Sequence, residues 1–186
     1  EWQPMSAADI LARIEALSGG HPMMVTLSGG NPVIQPMGEL IRLGKERGYD
    51  FNCETQGSVS NKWLRQLDVL TLSPKPPSSG METDWIEFYQ VLKAAGYESS
   101  MGPDIVLKIV VFDEADYIYA RSVAEKYPHL PLYLQPGNPH VEGEADQEIL
   151  NEKMRWLITR AANDHWNDVT ILPQLHVTLW GNKRGV

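Results

Sequence analysis

The sequence contains very little cysteine: Cys53 is the single thiol among 186 residues. One thiol excludes a disulfide within the chain, and it excludes a zinc or iron–sulfur site built from several cysteines of these residues. Chains without disulfides are typical of reducing compartments, so we expect a cytoplasmic location. Cys53 lies in a short predicted strand, and we interpret it as a small buried hydrophobic residue.

Basic residues and long apolar runs are also scarce. The chain has 16 Lys and Arg against 24 Asp and Glu, a net charge of −8. Nucleic-acid binders usually present a basic face, so we expect no nucleic-acid partner. No apolar run approaches the ~20 residues that span a bilayer, so we expect no membrane partner. The phosphate-binding P-loop and the Gly-x-Ser-x-Gly elbow are absent, and the histidines lack a zinc-ligand spacing.

Segments that favour strands alternate with segments that favour helices along the whole chain. This alternation is typical of an α/β fold with mostly parallel strands covered by helices. Two of the predicted helices begin after Ser6 and after Asp84. The others cover residues 36–47, 59–67, 114–126 and 146–162, and the helix at 146–162 is predicted to be the last one in the chain. The predicted strands cover residues 25–28, 51–55, 69–73, 105–112, 130–135 and 169–172.

The first predicted strand runs directly into two glycines. Val25, Thr26 and Leu27 favour a buried strand, and Gly29 and Gly30 remove the side chains where that strand ends. A proline follows two residues later, at a position that suits the first turn of a helix. The sequence therefore predicts bare backbone at a strand end, the place where ligands bind in α/β proteins.

Polar residues suited to hydrogen bonding collect at the ends of several predicted strands. Each of these residues could also have a purely structural role. The glycines could form a plain turn, Glu54 and Lys75 could be solvated charges, Gln135 could cap the backbone and His176 could be a structural histidine. In complete or partial β/α barrels, however, this rim holds the active site. The strand-end groups are Ser28-Gly29-Gly30-Asn31, Glu54-Thr55-Gln56-Gly57, Ser73-Pro74-Lys75, Gln135-Pro136-Gly137-Asn138, and Gln174 with His176.

Several long motifs, in one order along the chain, carry a family resemblance. They are Thr26-Leu27-Ser28-Gly29-Gly30-Asn31-Pro32, Glu54-Thr55-Gln56-Gly57, Leu70-Thr71-Leu72-Ser73-Pro74-Lys75-Pro76-Pro77-Ser78-Ser79, Leu107-Lys108-Ile109-Val110-Val111, Tyr133-Leu134-Gln135, Leu172-Pro173-Gln174-Leu175-His176 and Leu179-Trp180-Gly181-Asn182-Lys183-Arg184-Gly185-Val186. With these motifs the chain resembles the 7-carboxy-7-deazaguanine synthases, radical S-adenosylmethionine (SAM) enzymes of queuosine and 7-deazapurine biosynthesis, and within them the Bacillus-like branch.

The resemblance implies a fold, an activity and cofactors. The fold would be an incomplete, partial TIM-like β/α barrel, with residues 1–186 as a single domain that forms the C-terminal portion of a radical SAM core. The complete enzyme would be a carbon–nitrogen lyase that uses SAM, a [4Fe–4S] cluster and Mg²⁺. It would contract the ring of 6-carboxy-5,6,7,8-tetrahydropterin to 7-carboxy-7-deazaguanine with loss of ammonia. The family's N-terminal three-cysteine loop has no counterpart in this sequence, so the resemblance implies that this chain alone is inactive.

The resemblance also implies roles for particular residues. No residue is implied to be catalytic or to ligate a metal, and the partners implied are the pterin substrate, a second copy in a homodimer and an external electron donor. The residues implied to contact SAM are Gly30, Ser73, Pro74, Lys75, Gln135, Pro136, Gly137 and Asn138. Those implied to contact the substrate are Ser28, His176 and Val186.

Two other functions stay open at this point. One is a truncated or degenerate homologue that binds SAM or a pterin without catalysis. The other is a related radical SAM enzyme that acts on a different substrate.

Overall fold

The computed structural model describes residues 3–99, 101–139 and 146–183. The chain groups into two compact units: Glu1–Leu72 with Asp84–Ile105, and Ser73–Thr83 with Val106–Val186. The expectation that residues 1–186 form a single domain stays a prediction.

The first unit contains three parallel strands in chain order: β1 (Met24–Leu27), β2 (Asp50–Thr55) and β3 (Val69–Leu72). Leu27 of β1 lies opposite Cys53, and Cys53 lies opposite Leu70 of β3. Strand β2, paired on both sides, buries its alternate side chains. All three strands therefore end on the same edge, where the predicted polar groups follow them.

Helices α1 (Ala7–Leu17), α2 (Gly38–Glu46) and α3 (Trp85–Ala95) accompany these strands. The N-cap of α1 is Ser6, whose hydroxyl accepts from the Asp9 N–H, and Asp84 caps α3 in the same way. Helix α3 buries its apolar stripe completely and ends at Gly96, which has a left-handed backbone.

The second unit contains most of β4 (Asp104–Val111), with β5 (Leu132–Pro136) and β6 (Thr170–Ile171) parallel to it in chain order. Helix α4 (Glu114–Lys126) connects β4 to β5, and α5 (Gln147–Asn163) connects β5 to β6. A short helix, α6 (Leu175–Trp180), follows β6. The predicted α/β class with mostly parallel strands is confirmed, since every strand pair described is parallel.

Three local predictions are wrong. The predicted helix at 59–67 is a 3₁₀ helix at Lys62–Gln66, and the helix at 146–162 is not the last one, because α6 follows it. Strand β1 is not buried: Met24 and Thr26 are exposed, while Val25 and Leu27 are half-buried. In the described residues β1 is paired with β2 alone, so less of its surface is covered. Within the three described stretches, no helix has the length and apolar character needed to cross a membrane.

Candidate functional site

The glycine pair after β1 presents bare backbone, as the sequence predicts. Gly29 and Gly30 have φ angles of 83° and 50°, in the left-handed region that favours glycine. Both residues are exposed, and a Cβ atom built on either one would meet no atom within 4 Å. Because the described residues leave the space at both Cβ positions open, a polar ligand could approach the N–H and C=O groups of this backbone directly.

The side chain of Asn31 is occupied by the protein itself. Its Oδ1 accepts hydrogen bonds from the Val33 N–H (3.2 Å) and from the Thr55 hydroxyl (3.0 Å), and its Nδ2 donates to Ser58 Oγ (3.3 Å). The first bond caps a 3₁₀ helix, Pro32–Ile34, with proline at its first position, as expected. The strand-end residues Asn31 and Thr55 thus fix the loop, whereas the side chain of Ser28 is exposed.

Thr55 ties the end of β2 to this loop. It is buried, with 3% of its surface exposed, and its hydroxyl also accepts from the Gly57 N–H at 3.3 Å. Gly57 has a φ of 79°, and a Cβ there would lie 2.5 Å from the Phe88 ring. This glycine serves close packing, in contrast to the open pair at 29–30.

Cys53 lies inside β2 and is fully buried. Burial, together with the negative charge of neighbouring Glu54, raises the pKa of the Cys53 thiol to about 12. A neutral, enclosed thiol is a poor metal ligand, which agrees with the interpretation of Cys53 as a small hydrophobic residue. Within the described residues, His, Cys, Asp and Glu side chains form no group of three or more that could hold a metal ion.

In the second unit, the segment 73–75 lies at the start of a constrained loop. Ser73 and Pro74 are buried, and Lys75 is half-buried. A 3₁₀ helix, Pro77–Ser79, follows directly and ends at a left-handed glycine. The segment 73–75 is therefore a packed part of the unit, although residues 74–80 have the composition of a loop.

The predicted segment 135–138 begins inside β5. Gln135 is half-buried, and its Nε2 donates to the Pro173 carbonyl at 3.0 Å, which joins the end of β5 to the loop after β6. Pro136 is buried, and Asn138 donates from Nδ2 to the Asn182 side-chain oxygen at 2.7 Å. The side chains of Gln135 and Asn138 already have protein partners, so a ligand at this segment would meet mainly backbone groups.

Gly137 allows an aromatic ring to lie against the backbone. Its N–H donates to the Val111 carbonyl at 2.8 Å, and a Cβ at this position would lie 2.6 Å from three atoms of the Phe112 ring. Phe112 is also bound by Lys153 of α5, whose ammonium donates to the Phe112 carbonyl at 2.9 Å. The glycine at 137 is thus explained by packing.

The structure places His176 on the first turn of α6, with an exposed side chain. That exposure argues against the alternative of a buried structural histidine. Gln174, half-buried, precedes the helix and accepts the Thr178 N–H through its carbonyl. Val186, the other predicted substrate contact near the end of the chain, lies outside the described residues.

A separate cavity of about 480 Å³ lies at the beginning of β5, among residues such as Arg121, Tyr127, His129 and Trp166. None of the predicted SAM or substrate residues lines it. The predicted residues instead follow the carboxyl ends of the strands, in a group after β1 and β2 in the first unit and in a group after β5 and β6 in the second.

Three residues hold these strand ends in place, and the sequence indicated this role for none of them, although Thr55 was counted among the strand-end polar residues. They are Thr55, Phe112 and Asp116, and each acts on a residue far away along the chain. The one available signal was local: Asp116 stands three residues after Asp113 at the start of a predicted helix. That spacing is typical of a capping pair and gave no hint that the carboxylate is buried.

Comparison with known proteins assigns a family. No protein-family model matches the chain. The 7-carboxy-7-deazaguanine synthase of Bacillus cereus is 42% identical to it over 187 aligned positions, which cover 98% of this chain and 76% of that protein. The Bacillus subtilis enzyme of the same name is 39% identical over the same shares.

Solved structures show the fold. The crystal structure of QueE from Escherichia coli matches with a TM-score of 0.61 at 20% identity, covering 91% of this chain and 64% of that structure. SuiB from Streptococcus suis, crystallised with S-adenosylmethionine, matches with a TM-score of 0.63 at 12% identity, covering 94% of this chain and 44% of that structure. These likenesses agree with the predicted incomplete barrel. From its identity to the Bacillus proteins over most of their length, the chain belongs to the 7-carboxy-7-deazaguanine synthase family of radical SAM enzymes.

Proposed function

We propose that this chain holds SAM and the pterin for the 7-carboxy-7-deazaguanine synthase reaction. That reaction is the SAM- and Mg²⁺-dependent radical ring contraction of 6-carboxy-5,6,7,8-tetrahydropterin to 7-carboxy-7-deazaguanine, with loss of ammonia. Family membership supports the reaction class. The structural observation that carries the proposal is the exposed, left-handed glycine pair at the end of β1.

The glycine pair fits the methionine end of SAM. An amino acid carries charged amino and carboxylate groups, and free backbone N–H and C=O groups at a strand end can bind both by hydrogen bonds. Gly30 has open space over its Cα, so the ligand can approach the main chain without displacing a side chain. When bound in a complete enzyme, SAM supplies the radical that abstracts hydrogen from the substrate.

The family resemblance assigns further ligand contacts to residues of the second unit. We propose that residues 73–75 contact SAM and that backbone groups of residues 135–138 bind the adenine edge, since Gln135 and Asn138 already use their side chains in the protein. Ser28 and His176, both exposed, would donate hydrogen bonds to the pterin and its carboxylate, and we assign Val186 a substrate contact from the resemblance.

These 186 residues do not fit a [4Fe–4S] cluster. A cluster of this kind is held by several thiolates, and the chain has one cysteine, which is buried and has its pKa raised to about 12. Among the described residues there is likewise no carboxylate and histidine group suited to Mg²⁺. We therefore propose that this chain binds ligands but is inactive alone.

Assembly and location follow from the family resemblance. We propose a cytoplasmic homodimer that receives electrons from an external donor. No residue described above is assigned to the dimer contact or to the donor.

The test of the proposal is a pair of matched glycine substitutions in the intact protein. Gly30→Asn adds a side chain over the exposed backbone, and Gly20→Asn does the same at a remote glycine with a φ of 76° and equally open space. Asparagine tolerates left-handed backbone, so strain is similar and small in both. We expect Gly30→Asn to raise the dissociation constant for SAM at least tenfold, and Gly20→Asn to leave it unchanged.

A turnover assay distinguishes the proposed synthase from a non-catalytic binding module and from a related enzyme with another substrate. The intact, anaerobically reconstituted protein should convert 6-carboxy-5,6,7,8-tetrahydropterin in a SAM-dependent reaction. SAM binding without any product would favour the non-catalytic binding module, and SAM cleavage without this product would favour a related enzyme with another substrate. Equal SAM affinity in the two asparagine variants would overturn the role of the glycine pair.

A further inference from the structure

Asp116 is a fully buried carboxylate in the first turn of α4. Its two oxygens accept hydrogen bonds from two different backbone segments: Oδ1 from the Ser78 N–H at 3.0 Å, and Oδ2 from the Phe112 N–H at 2.9 Å. Ser78 lies in the 3₁₀ helix that follows residues 73–75, and Phe112 directly follows β4. One carboxylate thus joins the proline-rich loop to the end of a strand.

A second contact attaches the far end of the same loop to the same face of α4. Tyr119, one turn after Asp116, shares a hydrogen bond of 2.9 Å with the Thr83 hydroxyl. Thr83 Oγ1 also lies 3.5 Å from the Lys75 carbonyl, at the limit for a hydrogen bond. Helix α4 therefore holds the loop at Ser78 and again at Thr83.

The loop carries further bonds of its own that transmit this hold toward residues 73–75. Ser79 donates to the Pro76 carbonyl through both its N–H (3.0 Å) and its hydroxyl (2.7 Å). Pro74 and Pro76 are buried, and prolines restrict the backbone between them. A displacement of Ser78 would move Lys75 with it.

A negative charge at Asp116 makes this connection strong. Hydrogen bonds to an ionised acceptor are about twice as strong as those between neutral groups. In the part of the chain that the structure describes, Asp116 forms no ion pair, and its two oxygens accept from the backbone N–H groups of Ser78 and Phe112. Such a residue contributes to fixing one geometry of the segments that it joins.

We propose that Asp116 is a positioning residue, which holds residues 73–75 in the geometry that contacts SAM. This inference rests on the proposed function, in which that segment is part of the SAM site. Asp116 itself touches no ligand. It acts through Ser78, and Tyr119 supports it at the other end of the loop.

The experiment measures SAM binding and backbone protection in the intact protein. Asp116→Asn keeps the size of the side chain but replaces one acceptor oxygen with an NH₂ group, which faces a backbone N–H and cannot accept from it. We expect the dissociation constant for SAM to rise roughly tenfold, in line with the loss of one charge-assisted bond. The pterin dissociation constant should stay within about twofold, and amide exchange at Ser78–Gly80 should accelerate.

Asp113→Ala is the matched control. Asp113 is the N-cap of the same helix, accepts from the Asp116 N–H at 3.0 Å, and makes no bond to the loop. Its loss should lower the melting temperature, as removal of an N-cap does, without raising the dissociation constant for SAM. A tenfold change in both variants would show a general effect of helix instability and would overturn the proposal.

A milder variant keeps the test decisive if Asp116→Asn does not fold. Tyr119→Phe removes the hydroxyl bonded to Thr83, and we expect it to weaken SAM binding about twofold to threefold with the pterin affinity unchanged. Unchanged SAM affinity in every folded variant would overturn the role of Asp116. Failure of the wild-type protein to bind SAM would instead overturn the proposed function.

Discussion

Two kinds of glycine stand at the strand ends of this protein, and they serve opposite purposes. Gly29 and Gly30 leave the space over the backbone empty, whereas at Gly57 and Gly137 an aromatic ring fills that space at 2.5–2.6 Å from the position of a Cβ. The first pair is suited to a ligand that arrives from outside. The second pair is needed for the protein's own packing, so a glycine in a functional motif does not by itself mark a contact with the ligand.

The largest effect on stability is expected for Gly57→Ala. The new methyl group would lie 2.5 Å and 2.8 Å from two Phe88 ring carbons, and the φ of 79° is strained for alanine. Overpacking and backbone strain together should lower the free energy of unfolding by about 2–4 kcal/mol. Urea denaturation measures this loss, with Gly80→Ala as control, since that glycine has a φ of 67° and open space. Equal losses in the two variants would show that the ring contact does not matter.

Gly137→Ala should have the next largest effect. The backbone here is not left-handed, so the cost comes from the Phe112 ring alone, at 2.6 Å. We expect a loss of about 1–3 kcal/mol in unfolding free energy. Adding Phe112→Leu should recover part of it, because the smaller side chain makes room for the methyl group. Additive losses in a double-mutant cycle would contradict direct packing between these two residues.

A smaller effect on the free energy of unfolding is expected at high pH, where the buried Cys53 thiol loses its proton. The pKa of Cys53 is raised from 9.0 to about 12 by burial and by Glu54, so the folded state keeps a proton that the unfolded state releases. Its contribution to stability is complete below pH 9 and is lost as the pH rises toward 12. Unfolding free energy should therefore fall more steeply above pH 9 in the wild type than in Cys53→Ala. Parallel curves would show that the thiol ionises normally.

The smallest effect on stability is expected at the open glycines. Gly30→Asn and Gly20→Asn add side chains that meet no atom within 4 Å, and asparagine tolerates a left-handed backbone. Each should lower the free energy of unfolding by only about 1 kcal/mol, the lower end of the range for a left-handed residue other than glycine. A loss similar to that of Gly57→Ala, in the same urea titration, would erase the distinction between the open and the packed glycines.

Local sequence patterns were sufficient for most elements of the fold. Helix α4 was predicted at 114–126 and is found at Glu114–Lys126, where Asp113 is the N-cap. Helix α6 was missed because its six residues are too few to show a period and include the β-branched Val177 and Thr178. The burial of β1 was overestimated, because strand composition does not reveal how many neighbours a strand has.

In the candidate site, too, features that depend on neighbouring residues could be predicted from the sequence, whereas contacts between distant residues could not. Bare backbone at Gly29 and Gly30 could be predicted, because glycine and the following proline act on their own segment. The bond between Thr55 and Asn31 spans 24 positions, and that between Asp116 and Ser78 spans 38. Contacts of that range depend on the assembled fold, and no pattern in neighbouring residues indicates them.

The bonds made by Asn31 have a consequence for the thermodynamics of binding. A flexible glycine loop would lose conformational entropy whenever a ligand fixed it, and that loss would weaken the affinity. Here Thr55, Ser58 and the Val33 amide restrain the residue after the glycines through hydrogen bonds within the protein. The loop therefore loses most of its conformational entropy during folding, and it can bind a ligand with little further loss of entropy.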